Sequence, residues 1–180
     1  MGIDITAYQK IKKVECAFDE EGEPIDRLTR EPMDHLLRLW VNPDFPGRAN
    51  DITESGKSAY FEYKAEEHCY SRGYSGYNHW RDTLAKIAGY PETEFEMYGV
   101  KQMRHDAGAW ATSSGPFWEL INFSDCEGVI GTAVSAKLAE DFAAFQEKAD
   151  SVDDARFKEG YASLRRAFEI AKDSGAVKFH

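Results

Sequence analysis

Two hydrophobic periodicities run along this chain, and they occupy different parts of it. Near the start, Val14, Cys16 and Phe18 alternate with Glu15 and Ala17, and "DEEGEP" supplies Gly22 and Pro24 as punctuation. That pattern predicts strands broken by an acidic turn across the opening "GIDITAYQKIKKVECAFDEEGEPIDR". The apolar segment from Met33 to Val41 is opened by Pro32 and shut by "NPDFPG", which predicts a short helix. Residues Arg48 to Lys57 are polar and loop-like. "SAYFEY" then reads as a strand, carrying Tyr60, Phe61 and Tyr63, before the chain loosens at Gly73 and Gly76.

The 3.6-residue period begins at "NHWRDTLAKIAGY". There Trp80, Leu84, Ile87 and Ala88 share a face, Asn78 is the expected N-cap and Gly89 the expected C-cap. Trp80 is expected to turn toward the core and Arg81 toward solvent. Tyr90 to Ser114 carries no clear period and is expected to be irregular. "PFWELINF" is too short to assign. In the last third the period is plain. Val134, Leu138, Phe142 and Phe145 predict a helix over Ala133–Ala149, and Phe157, Tyr161, Leu164, Phe168 and Ala171 predict another over Val152–Lys172. Gly175 ends that helix, and "AVKFH" follows as a terminal strand. Early strands that do not alternate regularly with helices, and helices concentrated in the C-terminal third, predict an α+β fold forming a single compact domain over residues 1–180.

Composition narrows the function classes. With 42% hydrophobic and 13% aromatic residues, the chain can bury a sizeable core, roughly 70% of its extended surface at this length. A net charge of −10 argues against direct nucleic-acid binding, which needs clustered Lys and Arg. The last thirty residues hold six basic and five acidic side chains, leaving −11 for residues 1–150. Such an acidic body suits solubility, or docking on a basic protein surface. Three cysteines, no Cys-x-x-Cys, no signal-like N-terminus and no membrane-length apolar run lead to the expectation of a cytoplasmic protein with reduced thiols and no membrane partner.

Two stretches carry candidate chemistry. The first is "SDCEG", Ser124 to Gly128. Ser124 and Asp125 suit turn hydrogen bonds, Gly128 and Gly131 suit tight backbone geometry, and Thr132 or Ser135 can cap the following helix, so the preferred reading is a turn. The competing reading is a small enzyme centred on Asp125, Cys126 and Glu127. A thiol nucleophile needs a nearby histidine, and His35, His68, His79, His105 and His180 are scattered along the sequence. Two carboxylates fall short of a calcium shell, and adjacent His68 and Cys69 lack zinc-ligand spacing, so neither a metal nor a cofactor is expected. No catalytic residue is assigned.

The second stretch is "HCYSRGYSGYNHWR", joined by "KQMRHDAGAW". Aromatic faces and guanidinium forks beside glycines suit a planar base bearing a phosphate. The candidate ligand-binding residues are therefore Arg72, Tyr74, Tyr77, Trp80, Arg81, Arg104 and His105. Packing of Arg stems over aromatic rings explains the same composition without any ligand.

The runs "ELINFSDCEGVIG" and "FEIAKDSGAVKFH", with the opening "GIDITAY", resemble parts of uncharacterised small proteins encoded by phages and prophages. The resemblance covers the first few residues and the C-terminal third, and it brings no activity with it. It implies a bacterial host cell and an accessory protein that binds and blocks something. Taken together, the sequence leads to a non-enzymatic binding protein that sequesters a nucleotide-like signal or blocks a host defence protein. An acidic module occupying a nucleic-acid-binding surface is the remaining alternative.

Overall fold

Ile3, Ile5 and Ala7 occupy alternate positions of one strand, and all three are fully buried. Around that strand the chain, described over residues 2–97, 99–123 and 128–180 in a computed structural model, builds an α+β fold. The elements in order are β1 (Gly2–Gln9), β2 (Lys12–Val14), β3 (Ala17–Phe18), β4 (Pro24–Ile25), β5 (Leu37–Trp40), β6 (Ser58–Glu62) and β7 (Ala65–Gly73). Helix α1 (Tyr74–Ala88), strands β8 (Thr93–Met97) and β9 (Val100–Arg104), and helices α2 (His105–Trp110) and α3 (Trp118–Ile121) follow. The chain closes with β10 (Gly128–Ile130), α4 (Thr132–Ala144), α5 (Gln146–Asp150), α6 (Ala155–Ala171) and β11 (Ala176–Phe179).

The main sheet has the order β10-β11-β1-β7 and is antiparallel throughout. Side chains alternate across it. Ile3, Ile5, Ala7, Val177 and Phe179 face the helices, where they join Leu138, Phe142, Tyr161, Leu164 and Phe168 in one apolar cluster. Tyr8, Val129 and Ala176 belong to a second cluster with Leu37, Leu39, Ala59 and Phe61 of a smaller antiparallel sheet, β2-β6-β5. The main sheet therefore lies between a helical layer and a second sheet.

Several expectations are corrected. Met33–Val41 contains no helix; Leu37–Trp40 is strand β5, with Leu37 and Leu39 buried, Arg38 exposed, and Leu39 opposite Ala59. A short apolar run fits either element, and here pairing with β6 decides it. Helix α1 starts four residues before Asn78, directly after extended Gly73, so Asn78 is not its cap. Gly89 does close it, in the left-handed conformation at φ 92°. The stretch expected to be irregular holds the hairpin β8–β9, in register from Thr93↔Arg104 to Met97↔Val100, and helix α2. The helix expected over Ala133–Ala149 is two, separated at Phe145. The last helix starts at Ala155, with Asp154 accepting from the amides of Arg156 and Phe157. Neither Thr132 nor Ser135 caps α4. Asp51, eighty-one residues away in sequence, accepts from the Thr132 amide at 2.7 Å.

One close approach fixes how α6 meets α1. A Cβ at Gly160 would stand 2.8 Å from Nε1 of Trp80 and 3.1 Å from Cε2 of Tyr70, both held in the core. In a free helix, Gly→Ala stabilises by about 1 kcal/mol. Against buried rings, overpacking costs about 1–3 kcal/mol and outweighs it. Gly160→Ala is thus expected to lower the thermal midpoint followed by circular dichroism, and Gly160→Val to lower it further. An alanine variant melting above the parent would contradict this packing.

Candidate functional site

Helix α1 carries most of the candidate residues, and its period decides their fates. Tyr77, Trp80, Arg81, Leu84 and Ala85 form its buried face. Three of these donate hydrogen bonds to main-chain carbonyls of other segments. Tyr77 Oη reaches Phe123 O at 3.2 Å, Trp80 Nε1 reaches Phe157 O at 3.2 Å, and Arg81 Nη1 reaches Ile121 O at 2.5 Å. Burial pushes the Tyr77 hydroxyl well above its ordinary pKa, so it stays a donor. The Trp80 ring stacks on Tyr77 at 6.1 Å and on Phe157 at 5.9 Å and is 2% exposed, leaving no platform for a base.

Arg81 is 2% exposed, against the expectation of a solvent-facing side chain. Its guanidinium also donates to Asn78 Oδ1 at 2.6 Å and lies 5.2 Å from the Tyr77 ring centroid. Tyr74, half-buried, packs on the edge of the same cluster.

Arg104 and His105 hold α2 against α1. Arg104 pairs with the fully buried carboxylate of Asp106 and points a second bond at Asn78 O, 3.4 Å away. Burial raises the Asp106 pKa, opposed by the Arg104 charge. His105 Nδ1 lies 2.7 Å from Tyr90 O, and its Nε2 lies 3.4 Å from Glu92 Oε1. Asp82 accepts from the amides of both His105 and Asp106, at 2.7 and 3.1 Å, and so caps α2 from α1.

The seven candidates do not share one cavity. Arg72 and Trp80 line a cleft of about 360 Å³ between α1 and the first turn of α6, together with Gly76, His79, Thr83, Asp154, Arg156 and Phe157. Arg104 lines a separate cleft of about 350 Å³ beside β9, with Ser75, Asn78, His79 and Asp82. Tyr77 and Arg81 are buried and, like Tyr74 and His105, line neither.

In the first cleft, Arg72 is only 24% exposed at its side chain and is preset from below. It donates to Arg156 O at 2.9 Å, stands 3.4 Å from Glu159 Oε2, and lies 5.6 Å from the Tyr70 ring centroid. Asp154 uses Oδ1 on the amides of Arg156 and Phe157, at 2.8 and 3.1 Å. Arg156 is exposed and forms no ion pair among the described residues. Two guanidinium groups and an imidazole thus face one polar cleft. Sequence reasoning missed Arg156, because eighty-four residues separate it from Arg72 and only the docking of α6 on α1 brings them together.

Ser124, Asp125, Cys126 and Glu127, on which the turn reading and the enzyme alternative both rest, lie outside the described residues. Of the described thiols, Cys69 is pushed up to about 11 by burial and by the charge of Glu67, so it is protonated at neutral pH. Among the described residues there is no group of three His, Cys, Asp or Glu placed to hold a metal, and no helix is long and apolar enough to cross a membrane. In comparisons with known proteins, no family model, no curated protein and no solved structure matches the chain.

The buried role of Arg81 is directly testable. Arg81→Ala removes the short buried donor to the Ile121 carbonyl, leaving it the 3.5 Å contact from Trp110 Nε1. The part-buried bond to Asn78 Oδ1 and the packed stem go with it, and the loss costs roughly 2–4 kcal/mol. At about 2–4 °C per kcal/mol for a domain of this size, the midpoint falls by about 4–16 °C. Arg81→Lys does not restore it, because a single ammonium cannot reproduce the planar fork. A midpoint within a degree or so of the parent for Arg81→Ala would place the guanidinium in solvent instead.

Proposed function

We propose that this protein is a non-catalytic binding protein whose ligand is a small phosphate-bearing molecule of the nucleotide kind, held in the cleft between α1 and α6. The observation that carries this reading is the meeting of Arg72, His79 and Arg156 on one polar cavity in a chain of net charge −10. Guanidinium pairs suit phosphate oxygens because each offers parallel N–H donors. Arg72 is already oriented by the Arg156 carbonyl, so little side-chain freedom is lost on binding. The cavity volume falls within the range of small-molecule sites. With Trp80 buried, the phosphate rather than a stacked base supplies the main recognition, and any ring rests beside exposed His79 and Gly76. The phage-type resemblance agrees with a protein that sequesters a signal in a bacterial host.

A second reading has its own observation. Residues 15–34 hold eight acidic and two basic side chains, and they form the β3–β4 excursion. Its turns are held by Asp19, accepting from Glu21 and Glu23 amides, and by Asp26, accepting from Leu28 and Thr29 amides. Leu28 stands 93% exposed at the end of this acidic lobe. That arrangement suits docking on a basic host-protein surface, such as one that otherwise holds nucleic acid.

The experiment that separates the readings is a thermal melt with a panel of mono-, di- and cyclic nucleotides. A true ligand at about 100 times its dissociation constant stabilises by about 2.7 kcal/mol, or roughly 5–10 °C here. Arg156→Ala is expected to abolish that rise while moving the unliganded midpoint by no more than the about 0.5 kcal/mol typical of a surface change. If no nucleotide shifts the melt, or Arg156→Ala responds like the parent, the cleft reading is wrong and the acidic lobe takes its place.

A further inference from the structure

The main sheet and the smaller sheet do not cover one another completely. Tyr8, Val129 and Ala176 are sealed between them. Lys178 and His180 follow Ala176 at alternate positions of the same strand and its end, so they lie on the same face but further along it. Beside them runs β5, an edge strand of the smaller sheet, on which Arg38 and Trp40 alternate with buried Leu37 and Leu39. The gap is a cleft of about 250 Å³ lined by Arg38, Trp40, Gly128, Lys178, Phe179 and His180. It lies apart from the α1–α6 cleft and shares no residue with it.

The chemistry of its walls is specific. Arg38 uses Nε on Ser58 Oγ at 3.2 Å, which orients the guanidinium, and it forms no ion pair among the described residues. The same holds for Lys178, which is half-buried. The His180 ring shares a hydrogen bond with Thr6 Oγ1 at 3.0 Å. Burial and the neighbouring Lys178 charge lower its pKa, which favours the neutral ring. Asp4, whose charge also reaches that ring, stands 3.9 Å from His68 Nε2. Positive charge in the cleft therefore comes from Arg38 and Lys178. The Trp40 ring is partly exposed, and unlike Trp80 it has no aromatic partner among the described residues.

We propose that this cleft binds a small aromatic anion, a carboxylate or phosphate carried on one aromatic or heteroaromatic ring, with the anionic group between Arg38 and Lys178 and the ring against Trp40. A charged fork and an ammonium fix the anion, and an indole face supplies sequence-independent stacking. The volume lies just under the usual range for drug-sized ligands, which limits the occupant to about one ring and its anionic group.

The test is a titration of the full ¹⁵N-labelled chain with phenyl phosphate, with inorganic phosphate and benzyl alcohol as the probes lacking the ring or the charge. Saturable shifts are expected at the Trp40 indole N–H, assigned with Trp40→Phe, and at the Gly128 and Lys178 amides. Phenyl phosphate is expected to bind at least about tenfold more tightly than either partial probe. Arg38→Gln and Lys178→Ala, with otherwise unchanged spectra, are each expected to weaken it about tenfold. The proposal is overturned by an absence of saturation up to about 10 mM, by shifts confined to other residues, or by inorganic phosphate binding as tightly as phenyl phosphate. Variants that bind like the parent would overturn it equally.

Discussion

Three side-chain donors on one helix face hold this structure together. Tyr77, Trp80 and Arg81 each satisfy a main-chain carbonyl outside α1, two of them at or just beyond the C-terminal end of α3 and one in the first turn of α6. A buried carbonyl without a donor costs about as much as a lost hydrogen bond, so the helix and these segments are coupled. Aromatic burial and polar satisfaction act through the same residues. Trp80 also stacks on Tyr77 within α1 and on Phe157 of α6, which joins the two helices. Gly160 completes the joint by letting α6 approach the indole.

Long-range side chain to backbone bonds of the same kind recur across the fold. Asp51 caps α4, Asp82 caps α2, and Asp141 accepts from the amide of Phe117 at 2.7 Å. Phe117 has φ 55°, a strained value for a bulky residue. It is held there by that bond and by ring contacts with Phe142, Phe145 and Tyr161. Part of the acidity that reads as a solvated charge in the sequence is therefore structural, with carboxylates terminating helices that lack caps of their own. Among the described residues, Arg156, Arg38 and Lys178 of the two clefts form no ion pair.

What the sequence revealed follows from range. The helices around Leu138 and Phe168, the Gly89 cap and the terminal strand are set by local period and local turn chemistry, and they were legible. Strand β5 was not, because five or six apolar residues fit a helix or a strand until a neighbour such as β6 supplies the hydrogen bonds. The hairpin β8–β9 was hidden by its exposure: Val100 and Met103 are more than half exposed, so burial imposes no alternation there. The candidate segment was singled out by composition alone. Composition could not say that α1 turns Tyr77 and Arg81 inward, nor that Arg156 arrives from the other end of the chain.

The division of α1 into a buried anchoring face and an outer face lining two clefts is the centre of this account. Native-state hydrogen exchange measures it most directly, since each amide reports the free energy of the opening that exposes it. If the three anchors couple α1 to the core, the slowest amides between Tyr77 and Ala85 exchange with the same free energy and denaturant dependence as those of Ile5 and Ala7 in β1. Exchange of α1 through a local opening well below the global value, with β1 still protected, would contradict it.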